Sequence, residues 1–238
     1  MDKRVEVSNM NLNQNLLKKF SENFYQNVNL SNYSWFNLGG PAEYFFKPRD
    51  KNQLIEFLTE IKKNNLKSVI LGAGSNTLIR DGGVRGAVIK LGPNFSYTKL
   101  IGKNIIEAGA ATLDRKVSNF AKDNNISKFE FLSCIPGSIG GAVIMNSGCY
   151  EDDISKILLS IRVIDINECI EKEIKAEDIK FIYRGTNLSN DLIIISAKFK
   201  GTINTKNIIE KKQKEMIERK KLSQPNQIKT CGSTFKNI

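Results

Sequence analysis

At 238 residues with 40% hydrophobic side chains, the chain can bury one large core or two smaller ones, which excludes a disulfide-stapled miniprotein. Four cysteines without a C-x-x-C pair, and no histidine at all, exclude the usual zinc ligand sets, and no metal is expected. Thirty-six basic against twenty-five acidic residues give a formal +11, which favours anionic partners such as phosphorylated ligands, nucleic acid or a membrane surface without choosing among them.

Residues 1–30 are rich in Asn and Lys and lack the apolar stretch of a secretory signal; no later run approaches membrane-spanning length. Leu16, Leu17, Phe20 and Phe24 recur at helical spacing and predict a docking helix packed on the body. From Tyr33 to Phe46 a turn containing Gly39-Gly40-Pro41 leads into a strand. Asp50 then caps a helix whose Leu54, Ile55, Leu58 and Ile61 share a face. Strand Ser68 to Leu71 follows, and Gly82-Gly83 marks a hairpin-like turn before a strand from Ala87 to Leu91. This first block, about 31–100, reads as a small mixed α/β unit. The second, about 101–200, opens with strand Ile105 to Ala108 and a helix burying Leu113, Val117, Phe120 and Ala121. It then passes through Phe129 to Leu132 and closes with the β-rich run Ile157 to Ile166, its hairpin partner Cys169 to Ile174, and the apolar strand Leu192 to Phe199. Residues 204–222 form a lysine-rich helix with Ile208, Ile209, Met216 and Ile217 as its apolar stripe, ended by Pro225; its charges, Glu215 and Glu218 included, read as a solvated face.

Two glycine-rich stretches punctuate these elements. Ile135 to Tyr150 reads I-P-G-S-I-G-G-A-V-I-M-N-S-G-C-Y, so backbone N–H groups there can approach an anion without side chains in the way. Val69 to Leu78, V-I-L-G-A-G-S-N-T-L, is an apolar strand running into Gly72, Gly74, Ser75 and Asn76, the geometry that holds a pyrophosphate. The spacing departs from G-x-G-x-x-G, and no long helix pattern follows, which argues against a Rossmann turn. Two such loops suggest one cofactor clasped between two subdomains; a pair of tight core turns is the plainer alternative.

The set W-F-N-L-G-G-P-A-E (Trp35 to Glu43), L-G-A-G-S-N (Leu71 to Asn76), I-P-G-S-I-G-G-A (Ile135 to Ala142), Y-R (Tyr183, Arg184) and G-S-T-F-K-N (Gly232 to Asn237) resembles the UDP-N-acetylenolpyruvoylglucosamine reductase (MurB) family in order and spacing, over roughly residues 30–238. The resemblance implies an α+β fold: a two-subdomain FAD-binding region of the vanillyl-alcohol oxidase (PCMH) type, followed by a third, substrate-binding domain. That third domain would begin at 201–238 and be truncated, because the family continues for several tens of residues past F-K-N and its C-terminal catalytic glutamate has no match here.

It also implies non-covalent FAD, NADPH as co-substrate, and reduction of UDP-N-acetylglucosamine enolpyruvate to UDP-N-acetylmuramate for peptidoglycan, in a cytoplasmic monomer with no nucleic-acid partner and no membrane insertion. Gly72, Ala73, Gly74, Ser75, Asn76 and Thr77 would form one cofactor grip. Pro136, Gly137, Ser138, Gly140 and Gly141, with Asn146 and Gly148, would form the other. Arg184 would meet the negative charge that hydride addition leaves on the enolpyruvyl group, Ser233 would return the proton, and Tyr183, Lys236 and Asn237 would line the substrate. Without the resemblance, Arg184 reads as a surface loop residue and Ser233 as a turn residue. Three other readings are a flavin-binding remnant without full turnover, a basic nucleic-acid or nucleotide binder without turnover, and a different flavin oxidoreductase on the same scaffold, with cysteine attachment through Cys134 or Cys149.

Overall fold

The computed structural model describes residues 15–224. Helix α1 (described over 15–19) and strand β1 (Phe24–Asn29) place Leu16, Phe20 and Phe24 in one core. Phe24 is not helical, however: it opens β1, which pairs antiparallel with β2 (Pro41–Phe46). Helical spacing and a strand start coincide at this position, and pairing with β2 decides it.

Asp50 caps α2 (Lys51–Lys63), its side chain accepting from the Gln53 N–H at 2.8 Å, and the helix buries Leu54, Phe57, Leu58 and Ile61. Strands β3 (Ser68–Ile70) and β4 (Val84–Ile89) complete a sheet ordered β1-β2-β4-β3. Both β2 and β3 run parallel to β4, so Gly82-Gly83 begins a parallel strand and not a hairpin. Tyr44, Phe46, Ala87 and Ile89 pack with α2, while Phe45 and Val88 join a smaller cluster with Leu30, Leu71 and Ile79 on the other side. Phe46 and Phe57 stack with ring centroids 3.9 Å apart, and Phe20 meets both rings edge-on at 5.4 Å.

The second sheet begins with β5 (Thr98–Gly102), three residues earlier than the block boundary read from the sequence, and β6 (Ile105–Gly109). Helix α3 (Asp114–Asp123) follows, burying Val117 and Ala121; Leu113 is its N-cap residue and stands exposed. After β7 (Ile126–Ser127) and a 3-10 turn at Glu130–Cys134, the glycine stretch folds into a short helix, α4 (Ile139–Ile144), where the sequence suggested a loop. Strands β8 (Gly148–Cys149) and β9 (Asp152–Asp153) form a small ribbon. The long strands β10 (Leu158–Asp165) and β11 (Ile170–Lys175) then form the expected hairpin. β12 (Phe181–Ile182) and β13 (Gly185–Thr186) form a tight ribbon, and β14 (Leu192–Lys200) gives the all-antiparallel order β11-β10-β14-β6-β5.

One face of that sheet, through Ile164, Ile193 and Ile195, packs into the aromatic core of the first unit; the other, through Val163, Ile194, Ala197 and Phe199, is covered by α3 and α4. Each fully buried aliphatic or aromatic side chain here contributes about 1.5–3 kcal/mol by leaving water, so the shared core holds the two units together. β15 (Thr202–Ile203) pairs with β7 and leads into α5 (Lys206–Ser223). α5 buries Ile209 and Met216, and Gln213 Nε2 donates to Ser118 Oγ at 2.7 Å; Ile208 points to solvent. Expecting Ile208 in the stripe failed because the buried face is pinned by the Gln213 contact. Pro225, Cys231, Ser233, Lys236 and Asn237 lie outside the described residues. No helix of the described residues 15–224 is long and apolar enough to cross a membrane.

Candidate functional site

Parallel pairing gathers the carboxyl ends of three strands: Lys47 follows β2, Lys90 follows β4, and the first glycine stretch follows β3. Sheet crevices at such ends are where ligands bind. Lys90 Nζ donates to the Gly72 carbonyl at 2.6 Å, and Lys47 Nζ donates to Tyr33 Oη at 3.1 Å. Both ammonium groups stand over the Tyr33 ring, 5.1 and 5.8 Å from its centroid. Burial, and then the charge of Lys47, pull the Lys90 pKa below its ordinary value. Two crowded cations are relieved by an anion placed between them.

Gly74 holds φ +73°, and its carbonyl accepts the Trp35 N–H at 3.0 Å. A Cβ there would lie 2.0 Å from the Tyr33 carbonyl oxygen, so only glycine lets the 33–35 segment close behind the loop. Beside it Ser34 Oγ is buried without a hydrogen-bond partner. The two glycine stretches touch: a Cβ on Gly72 would lie 3.1 Å from Ser138 Oγ. Ser138 sits at the N-cap position of α4 without a side-chain capping bond; the Ile139 N–H donates to the Thr112 carbonyl and the Gly140 N–H to the Ala110 carbonyl, each at 2.9 Å, which pins this loop on the second sheet. Gly141 has open space where a side chain would be.

Under the loop the Asp114 N–H donates to the Gly137 carbonyl at 3.2 Å, while both Asp114 carboxyl oxygens are buried without a partner, and burial raises its pKa to about 8. A carboxyl held that high is neutral in the folded chain and charged in the unfolded one from about pH 4 upward. Stability is therefore full below the unfolded pKa and falls as pH rises toward the folded value. Asp114→Asn should flatten that slope and raise the melting temperature most near pH 8; a wild-type melting temperature that is level from pH 5 to 8 would reject it.

The far end of the second stretch meets the β12–β13 ribbon. Tyr183 and Arg184 form its two-residue tip, both exposed, with the Arg184 guanidinium 5.3 Å over the Tyr183 ring and Nη1 donating to the Gly148 carbonyl at 3.1 Å. Asn146 is committed to structure: its Nδ2 donates to the Ile182 carbonyl at 3.4 Å, and its Oδ1 accepts the Ser155 N–H at 3.1 Å. Of the residues expected in the site, Gly72 and Ser138 bring the two stretches into contact, and Arg184 at the tip with Tyr183 joins Gly148. Lys47, Lys90, Tyr33 and Ser34 are additions, and the signal that could have found them is a lysine ending each of two apolar strands, F-F-K and V-I-K.

The FAD binding domain family matches residues 42–171, which hold both glycine stretches and more than half of the chain. The UDP-N-acetylenolpyruvoylglucosamine reductase of Pelagibacter ubique is 44% identical over 225 residues, 93% of this chain and 74% of that protein. This chain belongs to the UDP-N-acetylenolpyruvoylglucosamine reductase family. The crystal structure of the Thermus caldophilus member superposes with a TM-score of 0.77 at 27% identity, over 90% of this chain and 74% of that one. Cholesterol oxidase from Brevibacterium sterolicum, at 12% identity and a TM-score of 0.51, shares the fold alone, over 76% of this chain and 37% of its own.

A reductase of this family is an FAD-dependent oxidoreductase with the α+β, PCMH-type fold, and the residues present fit the cofactor. The lysine pair, the glycine backbone, the partnerless Ser34 hydroxyl and the open face at Gly141 supply cations, donors and clearance for a pyrophosphate. We expect Lys90→Met to weaken FAD about tenfold, the loss of one charge-assisted contact, with a shallower salt dependence than wild type. Trp35 is the chain's single tryptophan, so its quenching on FAD addition measures this, and unchanged affinity and salt slope would exclude Lys90 as a phosphate ligand.

Proposed function

We propose that the chain reduces UDP-N-acetylglucosamine enolpyruvate to UDP-N-acetylmuramate with NADPH, a step of peptidoglycan precursor synthesis, working as a cytoplasmic monomer. What carries the reading is the meeting of the two glycine stretches, Gly72 against Ser138, at the carboxyl ends of parallel strands flanked by Lys47 and Lys90. Bound FAD supplies a hydride acceptor and donor in turn.

The chain's own residues do the rest. Gly72–Thr77 and Pro136–Gly141 orient the cofactor by close backbone approach, with the N–H groups of Gly137, Ser138 and Gly141 as donors on the second stretch, and Lys47 and Lys90 balance its phosphate charge. Arg184, with Tyr183 beneath it, binds the enolpyruvyl carboxylate and stabilises the negative charge that develops beside it. Ser233 returns a proton to that carbon, and Lys236 and Asn237 hold the nucleotide sugar; these three belong to the segment outside the described residues.

The test is an anaerobic visible spectrum of the purified chain. NADPH should bleach the flavin band, and UDP-N-acetylglucosamine enolpyruvate should restore it with formation of UDP-N-acetylmuramate. Bleaching without recovery would overturn the assignment of the substrate, and a colourless protein that takes up no FAD would overturn the site.

A further inference from the structure

Two thiols stand at the ends of the second glycine stretch. Cys134 ends the 3-10 turn just ahead of Ile135-Pro136-Gly137-Ser138, and Cys149 lies in β8 directly after Gly148. β8 packs on that turn, and Cys149 packs against the buried cluster that contains Cys134. Ser133 Oγ lies 3.7 Å from the same sulfur, and Lys220, reaching over from α5, donates to the Cys134 carbonyl. Neither cysteine is in a disulfide.

The neighbouring Cys149 thiol foremost, then the Ser133 hydroxyl and the charge of Lys220, hold the Cys134 thiol below its ordinary pKa in spite of burial. Cys149, half-buried beside Cys134, is pushed up. Two cysteines on packed elements, one lowered and one raised, suit the roles of an attacking and a resolving cysteine. Cys169 differs: it sits against the aromatic core of the first unit, its thiol donating to the Ile166 carbonyl at 3.4 Å.

We propose that Cys134 and Cys149 are a reversible modification site that hydrogen peroxide closes to a disulfide, stapling the two ends of the glycine stretch. The Cys134 thiolate attacks one peroxide oxygen; an S–O bond forms, the O–O bond breaks, and hydroxide leaves to take up a proton. Cys149 then attacks the resulting sulfenic acid; the S–S bond forms as the S–O bond breaks, the Cys149 proton leaves, and the expelled oxygen departs as water. Two thiols lose two electrons, and one peroxide becomes two waters. Cys134 is 5% exposed, enough for peroxide and too little for a bulky disulfide reagent. The staple fixes Gly148, whose carbonyl holds Arg184.

Full-length protein carrying Cys231→Ser would be treated with peroxide, unfolded in denaturant, alkylated with a maleimide, digested and mapped by non-reducing mass spectrometry. The expected result is a Cys134–Cys149 cross-link lacking two hydrogens, loss of both maleimide adducts, an alkylated Cys169, and return of both thiols with dithiothreitol. In a Cys149→Ser chain the reaction should stop at a Cys134 sulfenic acid that dimedone traps. Full alkylation of Cys134 and Cys149 after a peroxide dose that oxidises free glutathione would overturn the proposal, as would a cross-link from Cys134 to Cys169. The readout involves no flavin, so its failure is separate from any failure of the reductase reading.

Discussion

Gly74→Val is expected to raise the dissociation constant for FAD about 100-fold, a loss of about 2.7 kcal/mol, while the chain still melts in one cooperative transition. The residue sits at φ +73°, where a Cβ already costs about 1–2 kcal/mol, and where it would lie 2.0 Å from the Tyr33 oxygen and 3.3 Å from Ser34 Cα. Neither atom belongs to a flexible side chain, so the 33–35 segment must retreat. Retreat breaks the Trp35 N–H to Gly74 carbonyl bond and moves Tyr33 away from Lys47 and Lys90, which disperses the cations and the backbone donors together. The larger core around Phe46 and Phe57 is not touched, and the only packing disturbed is that of Tyr33 on Phe45 in the smaller cluster. Gly82→Val is the matched control: no atom lies within 4 Å of its Cβ, and its FAD affinity should be that of wild type. Titration of Trp35 emission measures both chains. A Gly74→Val protein binding FAD within about threefold of wild type would remove this loop from the cofactor site.

Most of this site was legible as glycine placement, and the reason is steric. Gly74 is glycine because Tyr33 closes behind it, and such a constraint acts on residue type directly and so shows in the sequence. The lysines were not legible in that way. Lys47 and Lys90 acquire their role only when β2 and β4 pair in parallel with Phe46 opposite Ile89, a register that no local pattern states. The short helix α4 was hidden for a similar reason: Gly140 and Gly141 carry poor helix propensity, and the bonds from Ile139 and Gly140 to Thr112 and Ala110 override it. Leu113 and Ile208 both fit an apolar stripe by spacing. They are exposed because one is the N-cap residue of α3 and the other lies beside a face fixed by Gln213.

Arg184→Ala should separate substrate chemistry from cofactor binding. Arg184 sits at a hairpin tip with φ +58° and gives one donor to Gly148, which leaves the rest of its planar fork to meet a carboxylate. Its hydrogen bond goes to Gly148 and its guanidinium lies over Tyr183, both at the ribbon tip, so its removal should keep FAD affinity and the rate of flavin bleaching by NADPH. Reoxidation by UDP-N-acetylglucosamine enolpyruvate should slow about 10²- to 10³-fold, the usual cost of losing one donor aimed at developing charge. Arg184→Lys should recover part of that rate, because an ammonium keeps the charge and loses the bidentate geometry. If the tip were only a structural clasp on Gly148, the alanine and lysine chains would instead lose thermal stability in parallel and reoxidise normally. Stopped-flow absorbance of the two half-reactions distinguishes these outcomes, and normal reoxidation in Arg184→Ala would remove the residue from the mechanism.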